Sequence, residues 1–313
     1  MKKIIRPLIA IILLVLLFRS GLIKVDQLKS SLQNTQLLFT GFLLIGIQFI
    51  FFAYRWKIIV DIYHTVSFQK VLKLNLISQF FNLFIPGGVG GDLVKAIELS
   101  KSESIPKQKT ISTIVIDRVI GLYCMILFST LFLSLEMNQF PEIKKFFYIS
   151  LIMLFVSTVG LVFLGQIVKL CKSLTQNLNY NLVKKTIEGL ETLNEGFKSV
   201  CKVKTMLQMI FISFIAQLLA IYFLHLVVAS TIPETPSFLV FFPLACFAFM
   251  ASAIPITPGG IGFGQAAFYF IFAIFSKDTA NAAAIGVSLM QLFILLFSLP
   301  GAYFFTKIPK KDI

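Results

Sequence analysis

Apolar residues run through this chain in long blocks, and the positions that interrupt them are few enough to name. Six blocks read as helices crossing a membrane, at about 5–18, 37–54, 110–135, 146–165, 206–229 and 282–306. The reason is length: ~20 apolar residues rising ~1.5 Å each cover the ~30 Å of hydrocarbon in a bilayer. The first block is short and has to extend toward Ile23 or sit in locally thinned lipid. Two further apolar segments are broken. Residues 74–100 carry Pro86-Gly87-Gly88-Val89-Gly90-Gly91, and residues 238–275 carry Pro255-Ile256-Thr257-Pro258-Gly259-Gly260-Ile261-Gly262. Neither half of either segment spans comfortably, which predicts re-entrant hairpins or broken helices. The expected fold is an all-α polytopic membrane bundle, a single integral membrane domain over 1–313. Between the halves, 166–205 holds an amphipathic stripe of Val183, Ile187, Leu190, Phe197 and Val200, expected on the cytoplasmic membrane surface or packed beneath the bundle.

Composition agrees with the pattern. Hydrophobic residues make up 57% of the chain and charged ones 13%, against about 25% charged in a soluble domain. A soluble globular protein, a disordered chain and a disulfide scaffold are excluded. The basic start followed by Pro7 to Phe18 resembles a signal peptide, but no small-residue cleavage site follows, so it reads as an uncleaved first helix. The 28 Lys and Arg exceed the 14 Asp and Glu, a net charge of +14. With the N-terminus inside, 21 basic residues fall in inner loops and 6 in outer ones, leaving Arg118 in a span. That asymmetry follows the positive-inside rule. It predicts a multi-pass protein of the plasma (inner) membrane with both termini cytoplasmic, and it removes the nucleic-acid reading of a basic chain. It also sends the hairpin 74–100 in from the cytoplasm and 238–275 in from the other side. Cys124, Cys171, Cys201 and Cys246 show no pairing pattern, and His64 and His225 lie far apart. Neither metal nor cofactor is expected.

The two breaks match as P-G-G-[V/I]-G, 172 residues apart. Paired Gly/Pro interruptions of opposed orientation point to a transporter-like site between inverted repeats. Glycines admit positive φ and let backbone N–H groups converge, and the helix after each break aims its positive end at mid-depth, which suits an anion. Gly87, Gly88, Gly90, Gly91, Gly259, Gly260 and Gly262 are therefore candidate phosphate-binding positions; the alternative is a kink that only allows tight helix packing. Asn75, Ser78, Gln79 and Asn82 form one polar face leading into the first break, facing a wet cavity or other helices. Asp117 and Arg118 lie deep in a span. As neighbours they point about 100° apart, so each needs another partner. Arg118 has the planar fork that suits a phosphate. Asp92 is its candidate protein partner, in a structural bridge or a phosphate clamp, and Lys95 adds a second cation or snorkels. Gln265 is the best cavity candidate among Gln217, His225, Gln265 and Gln291, with His225 read as a packing residue. Tyr54, Trp56 and Tyr303 read as interface anchors.

Asn82 to Ala96, then Asp117-Arg118-Val119-Ile120-Gly121, then Pro255 to Gly262, taken in that order, resemble the lysylphosphatidylglycerol synthase transmembrane-region family over nearly the whole chain. Multidomain members join this membrane region to a soluble synthase domain, and other relatives carry a glycosyltransferase; this sequence holds neither. The resemblance implies a flippase-like protein, the translocating half without the synthesising half, and no enzyme. The expected substrate is an anionic, aminoacylated or polyprenyl-phosphate-linked lipid. Membrane lipids are the expected partners, with a separate lipid-modifying enzyme or a second copy of the chain beside them. Two other classes stay open: an integral-membrane enzyme acting on a lipid phosphate through Asp92 or Asp117, and a secondary transporter of a small anion.

Overall fold

A computed structural model describes residues 25–85, 90–138, 140–175, 181–254 and 256–307. The first expected span, 5–18, and Gly87 and Gly88 lie outside the described residues. Among those described, every regular element is helical. In chain order they are α1 Val25–Gln33, α2 Thr35–Val60, α3 Phe68–Phe84, α4 Gly90–Ser102, α5 Lys107–Glu136, α6 Lys144–Thr175, α7 Asn181–Val200, α8 Val203–Thr231, α9 Phe238–Ser252, α10 Phe263–Phe272 and α11 Lys277–Thr306. Among the described residues, five helical segments are long and apolar enough to cross a membrane: α2, α5, α6 with the short turn of helix before it, α8 and α11. Each contains one of the expected spans and runs past it, because a helix has no reason to stop where the hydrocarbon stops. Caps set some ends: Asn34 Oδ1 accepts from the Leu37 N–H at 3.0 Å, and Ser276 Oγ from Thr279 at 3.0 Å.

The two broken segments fold as pairs of short helices. The first is α3 and α4, with 17 and 13 residues; the second is α9 and α10, with 15 and 10. At ~1.5 Å per residue none reaches ~30 Å unaided. Their opposed entry follows from the packing of the long helices. Gly41 of α2 lies against Phe223 of α8, and Arg55 of α2 donates to Ser213 of α8, so α2 and α8 are antiparallel. The first hairpin follows the end of α2 and the second follows the end of α8, so they enter from opposite ends of the bundle.

One large apolar core, including Ile45, Phe128, Phe223, Phe241, Phe272 and Phe293, joins α2, α5, α8, α9, α10 and α11. A smaller one, with Trp56, Val60, Val71, Leu74 and Leu99, seats the first hairpin on the end of α2. Glycine sets the closest approaches. A Cβ on Gly91 would lie 1.8 Å from the Ser78 carbonyl oxygen, and one on Gly301 of α11 would lie 2.2 Å from the Leu76 oxygen. The α3 backbone is thus held against α4 on one side and α11 on the other. The amphipathic α7 packs against α5: Phe197 and Val200 are buried, Tyr63 donates to the Thr192 carbonyl at 3.2 Å, and bare Gly196 admits the Tyr63 hydroxyl. By contrast α6 is peripheral, with only 6% of its most apolar stretch buried.

Candidate functional site

The polar face of α3 and the start of α4 meet as a seam. Asn82 Oδ1 accepts from the Gly91 N–H at 2.9 Å, Ser78 Oγ donates to Asp92 Oδ1 at 2.7 Å, and Lys95 Nζ donates to Asn75 Oδ1 at 2.9 Å. Asn75, Ser78, Asn82, Gly91, Asp92 and Lys95 are all buried, while Gln79 is half-buried beside the seam. The i, i+3, i+7 spacing produces this directly, since three of the four expected stripe residues share the face that α4 covers. Asn75 Nδ2 has no partner among the described residues.

Asp92 is the hub. Its Oδ2 accepts from Arg118 Nε at 2.9 Å and Nη2 at 2.5 Å, and its Oδ1 lies 3.6 Å from Lys95 Nζ. The Asp92 side chain is 5% exposed, whereas that of Arg118 is 51% exposed. A buried carboxylate therefore holds a guanidinium that still faces outward. Lys95 Nζ also sits 4.1 Å above the centre of the Trp56 ring, a cation–π contact well inside the usual reach.

Asp117 turns the other way, as adjacency on a helix requires. Its carboxylate takes a two-pronged pair from Arg55 on α2, Nε to Oδ1 at 2.8 Å and Nη2 to Oδ2 at 3.1 Å, and Arg55 Nη1 donates to Ser213 Oγ at 3.1 Å. Sequence reasoning places Arg55 among the inner-loop cations; the structure buries it inside α2. A Cβ on Gly121 would lie 3.2 Å from both terminal guanidinium nitrogens, so that glycine makes the room. Asp117's need for a partner on another helix was the signal that pointed there. Trp56 is a second correction. It is fully buried, with its indole N–H donating to Thr113 Oγ1 at 3.1 Å, and is not an interface anchor. Tyr54 and Tyr303 are exposed.

The second break is shaped by handedness. Gly259, Gly260 and Gly262 have φ of 59°, 70° and 81°, in the region that favours glycine. Gln265 closes the turn: its Oε1 accepts from the Gly262 N–H at 2.7 Å, and its Nε2 donates to Gln291 Oε1 at 2.7 Å and Ser288 Oγ at 3.2 Å. Gln291 in turn donates to the Gly259 carbonyl at 3.3 Å. Gln265 is thus buried and engaged with the loop itself. His225 packs against Phe238 and Phe241, with Nε2 3.0 Å from the Pro236 oxygen. Gln217 is buried with neither amide atom partnered among the described residues.

The second break lies against the end of α3. A Cβ on Gly259 would lie 3.0 Å from Leu83 Cδ2 and 3.4 Å from Leu83 Cα, at the end of α3. The structure thus brings the second break against the helix leading into the first, within one helical bundle.

Comparison with known proteins agrees with this architecture. The family model described as lysylphosphatidylglycerol synthase TM region matches residues 3–298. Similar curated proteins include the UPF0104 membrane protein MJ1595 of Methanocaldococcus jannaschii, 25% identical over 84% of this chain and 82% of its own length. A second from the same organism, MJ1078, is 28% identical over 66% of this chain and 85% of its own. A UPF0104 membrane protein of Methanothermobacter thermautotrophicus is 22% identical over 88% and 85% respectively. No solved structure matches the chain significantly.

Proposed function

Because this multi-pass membrane protein belongs to the lysylphosphatidylglycerol synthase TM-region family, we propose that it moves an anionic, aminoacylated or polyprenyl-phosphate-linked lipid between leaflets of the plasma membrane, with both termini cytoplasmic. The observation that carries this reading is the pair of opposed hairpins, the second break lying against the end of α3 and the first hairpin holding Asp92 beneath the half-exposed Arg118. An ionisable group at such depth is costly and marks a pathway or a pair; here a pair leaves its cation accessible. The phosphate meets Arg118 while the acyl chains stay in the bilayer. No bond is made or broken, so the protein acts as a carrier for a lipid that a separate enzyme supplies.

The test is a proteoliposome assay with a labelled anionic phospholipid. Transbilayer movement is expected to exceed that of protein-free vesicles and to fall to the vesicle rate in the Asp92→Ala, Arg118→Ala double variant. Equal movement with and without protein, or full activity in the double variant, sinks the proposal. Release of a cleaved headgroup by the purified protein would make it an enzyme instead.

A further inference from the structure

The Asp92–Arg118 pair comes with a spare cation. Resting on the lipid-carrier reading, we infer that Lys95 is the exchange partner that lets Arg118 leave Asp92 for a lipid phosphate, and that the site selects a phosphodiester headgroup without a cation of its own.

Five observations support the exchange. The Asp92 side chain is 5% exposed, and a carboxylate left bare in such surroundings is strongly disfavoured. Arg118 can move to a ligand only if another cation takes its place. Lys95 is equally buried, on the same helix, with Nζ 3.6 Å from Asp92 Oδ1. That is beyond a hydrogen bond but within about 1 Å of the usual charge-assisted length of ~2.8 Å. At rest Lys95 is parked, donating to Asn75 and lying over Trp56; its flexible stem and rotatable donors suit a short swing. Ser78 holds Oδ1 by its own hydrogen bond at 2.7 Å, fixing the carboxylate while partners change. The Arg118 side chain is 51% exposed even while Nε and Nη2 donate to Asp92, and its planar fork is one that phosphate oxygens match.

Charge then sets specificity. Arg118 and Lys95 share one carboxylate, so the triad carries one surplus positive charge. Asp117, the neighbouring acid on α5, is already balanced by Arg55. A phosphodiester bearing a single negative charge balances the triad. A choline or aminoacyl headgroup brings a further ammonium and does not.

Binding of fluorescent phosphatidylglycerol and phosphatidylcholine to the full chain in detergent tests this apart from transport. The wild type is expected to favour phosphatidylglycerol. Lys95→Met should weaken phosphatidylglycerol binding about tenfold and leave phosphatidylcholine unchanged, while Lys95→Arg stays within about threefold. Asn75→Ala removes the parking acceptor and should tighten phosphatidylglycerol binding about threefold; this arm decides the matter if Lys95→Met does not fold. Equal loss for both lipids, no loss in Lys95→Met, or weaker binding in Asn75→Ala overturns the exchange. A wild type that binds phosphatidylglycerol but shows one of those results leaves the carrier reading standing. A wild type with no preference for phosphatidylglycerol overturns the specificity, and one that binds neither lipid removes support from both.

Discussion

The first hairpin closes its base with ions and the second with rings. Glu103, just past α4, pairs with Lys70 at the start of α3 and lies 3.2 Å from His64 Nε2. At the matching place in the second hairpin, Phe241 of α9 and Phe272 of α10 face each other with centroids 4.5 Å apart, and Phe249 meets Phe268 at 4.9 Å. The seams differ in the same sense. One is built on Asp92 and Lys95, and residues 238–275 contain no charged residue at all. So the repeated P-G-G motif conserves a way of interrupting a helix and not a chemistry. One copy supplies charge, the other a shaped and neutral wall. The two hairpins also touch each other, where Leu83 at the end of α3 lies against Gly259.

Substitutions that attack each hairpin by its own principle sharpen this contrast. The largest effect is expected from Gly91→Ala. The new methyl would collide with the Ser78 carbonyl, which is backbone and cannot swing aside. A loss of about 3 kcal/mol, at the top of the range for overpacking, should appear as a lower thermal unfolding midpoint in detergent. Gln265→Leu strips the second break of its acceptor for the Gly262 N–H and of its link to Gln291. An unsatisfied buried donor costs about 1–3 kcal/mol. Gly260→Ala has space, with its Cβ 3.7 Å from the nearest atom, but needs a φ of 70°; the cost is about 1–2 kcal/mol. If Gly260→Ala proved worse than Gly91→Ala, the division into a packed first seam and a handed second tip would be wrong.

The smallest effect is electrostatic and depends on pH. The hydrogen bond from Lys70, helped by the charges of Lys70 and His64, holds the Glu103 carboxyl below the ordinary glutamate value. A lowered folded-state pKa stabilises the fold above the unfolded value, and that contribution is lost as pH falls through the folded one. Wild type should therefore exceed Glu103→Gln by less than about 1 kcal/mol at neutral pH, as for solvated pairs. The gap should close in acid, measured by unfolding of both proteins across pH 3 to 7 (roughly the window around a glutamate). A gap that does not change with pH would assign the base of the first hairpin to packing alone.

Much of this arrangement was legible before the structure. The spans 37–54 and 206–229 lie inside α2 and α8, and the stripe on α3 was readable because 3.6-residue periodicity forces Asn75, Ser78 and Asn82 onto one face. Asp92 as the partner of Arg118 followed from the cost of an unpaired charge at depth. Arg55 and Trp56 were harder. At the end of an apolar run, a side chain that snorkels to the headgroups and one that turns inward have the same sequence signature. The difference is made by Gly121 and Thr113 on α5, far along the chain, which leave room for one and a hydrogen-bond acceptor for the other. The closeness of α3 to its neighbours was equally hidden, because Gly91 and Gly301 are ordinary helix residues until a second backbone is laid against them.

The contact between Leu83 and Gly259 has a kinetic meaning for a carrier. It sets the second break directly against the end of α3, between the two hairpins. Under the proposed lipid movement, a headgroup passing between the hairpins would part this leucine from a bare stretch of main chain, which forfeits some dispersion. The slow event in a transport cycle would then lie elsewhere, in stripping water from the phosphate before it reaches Arg118.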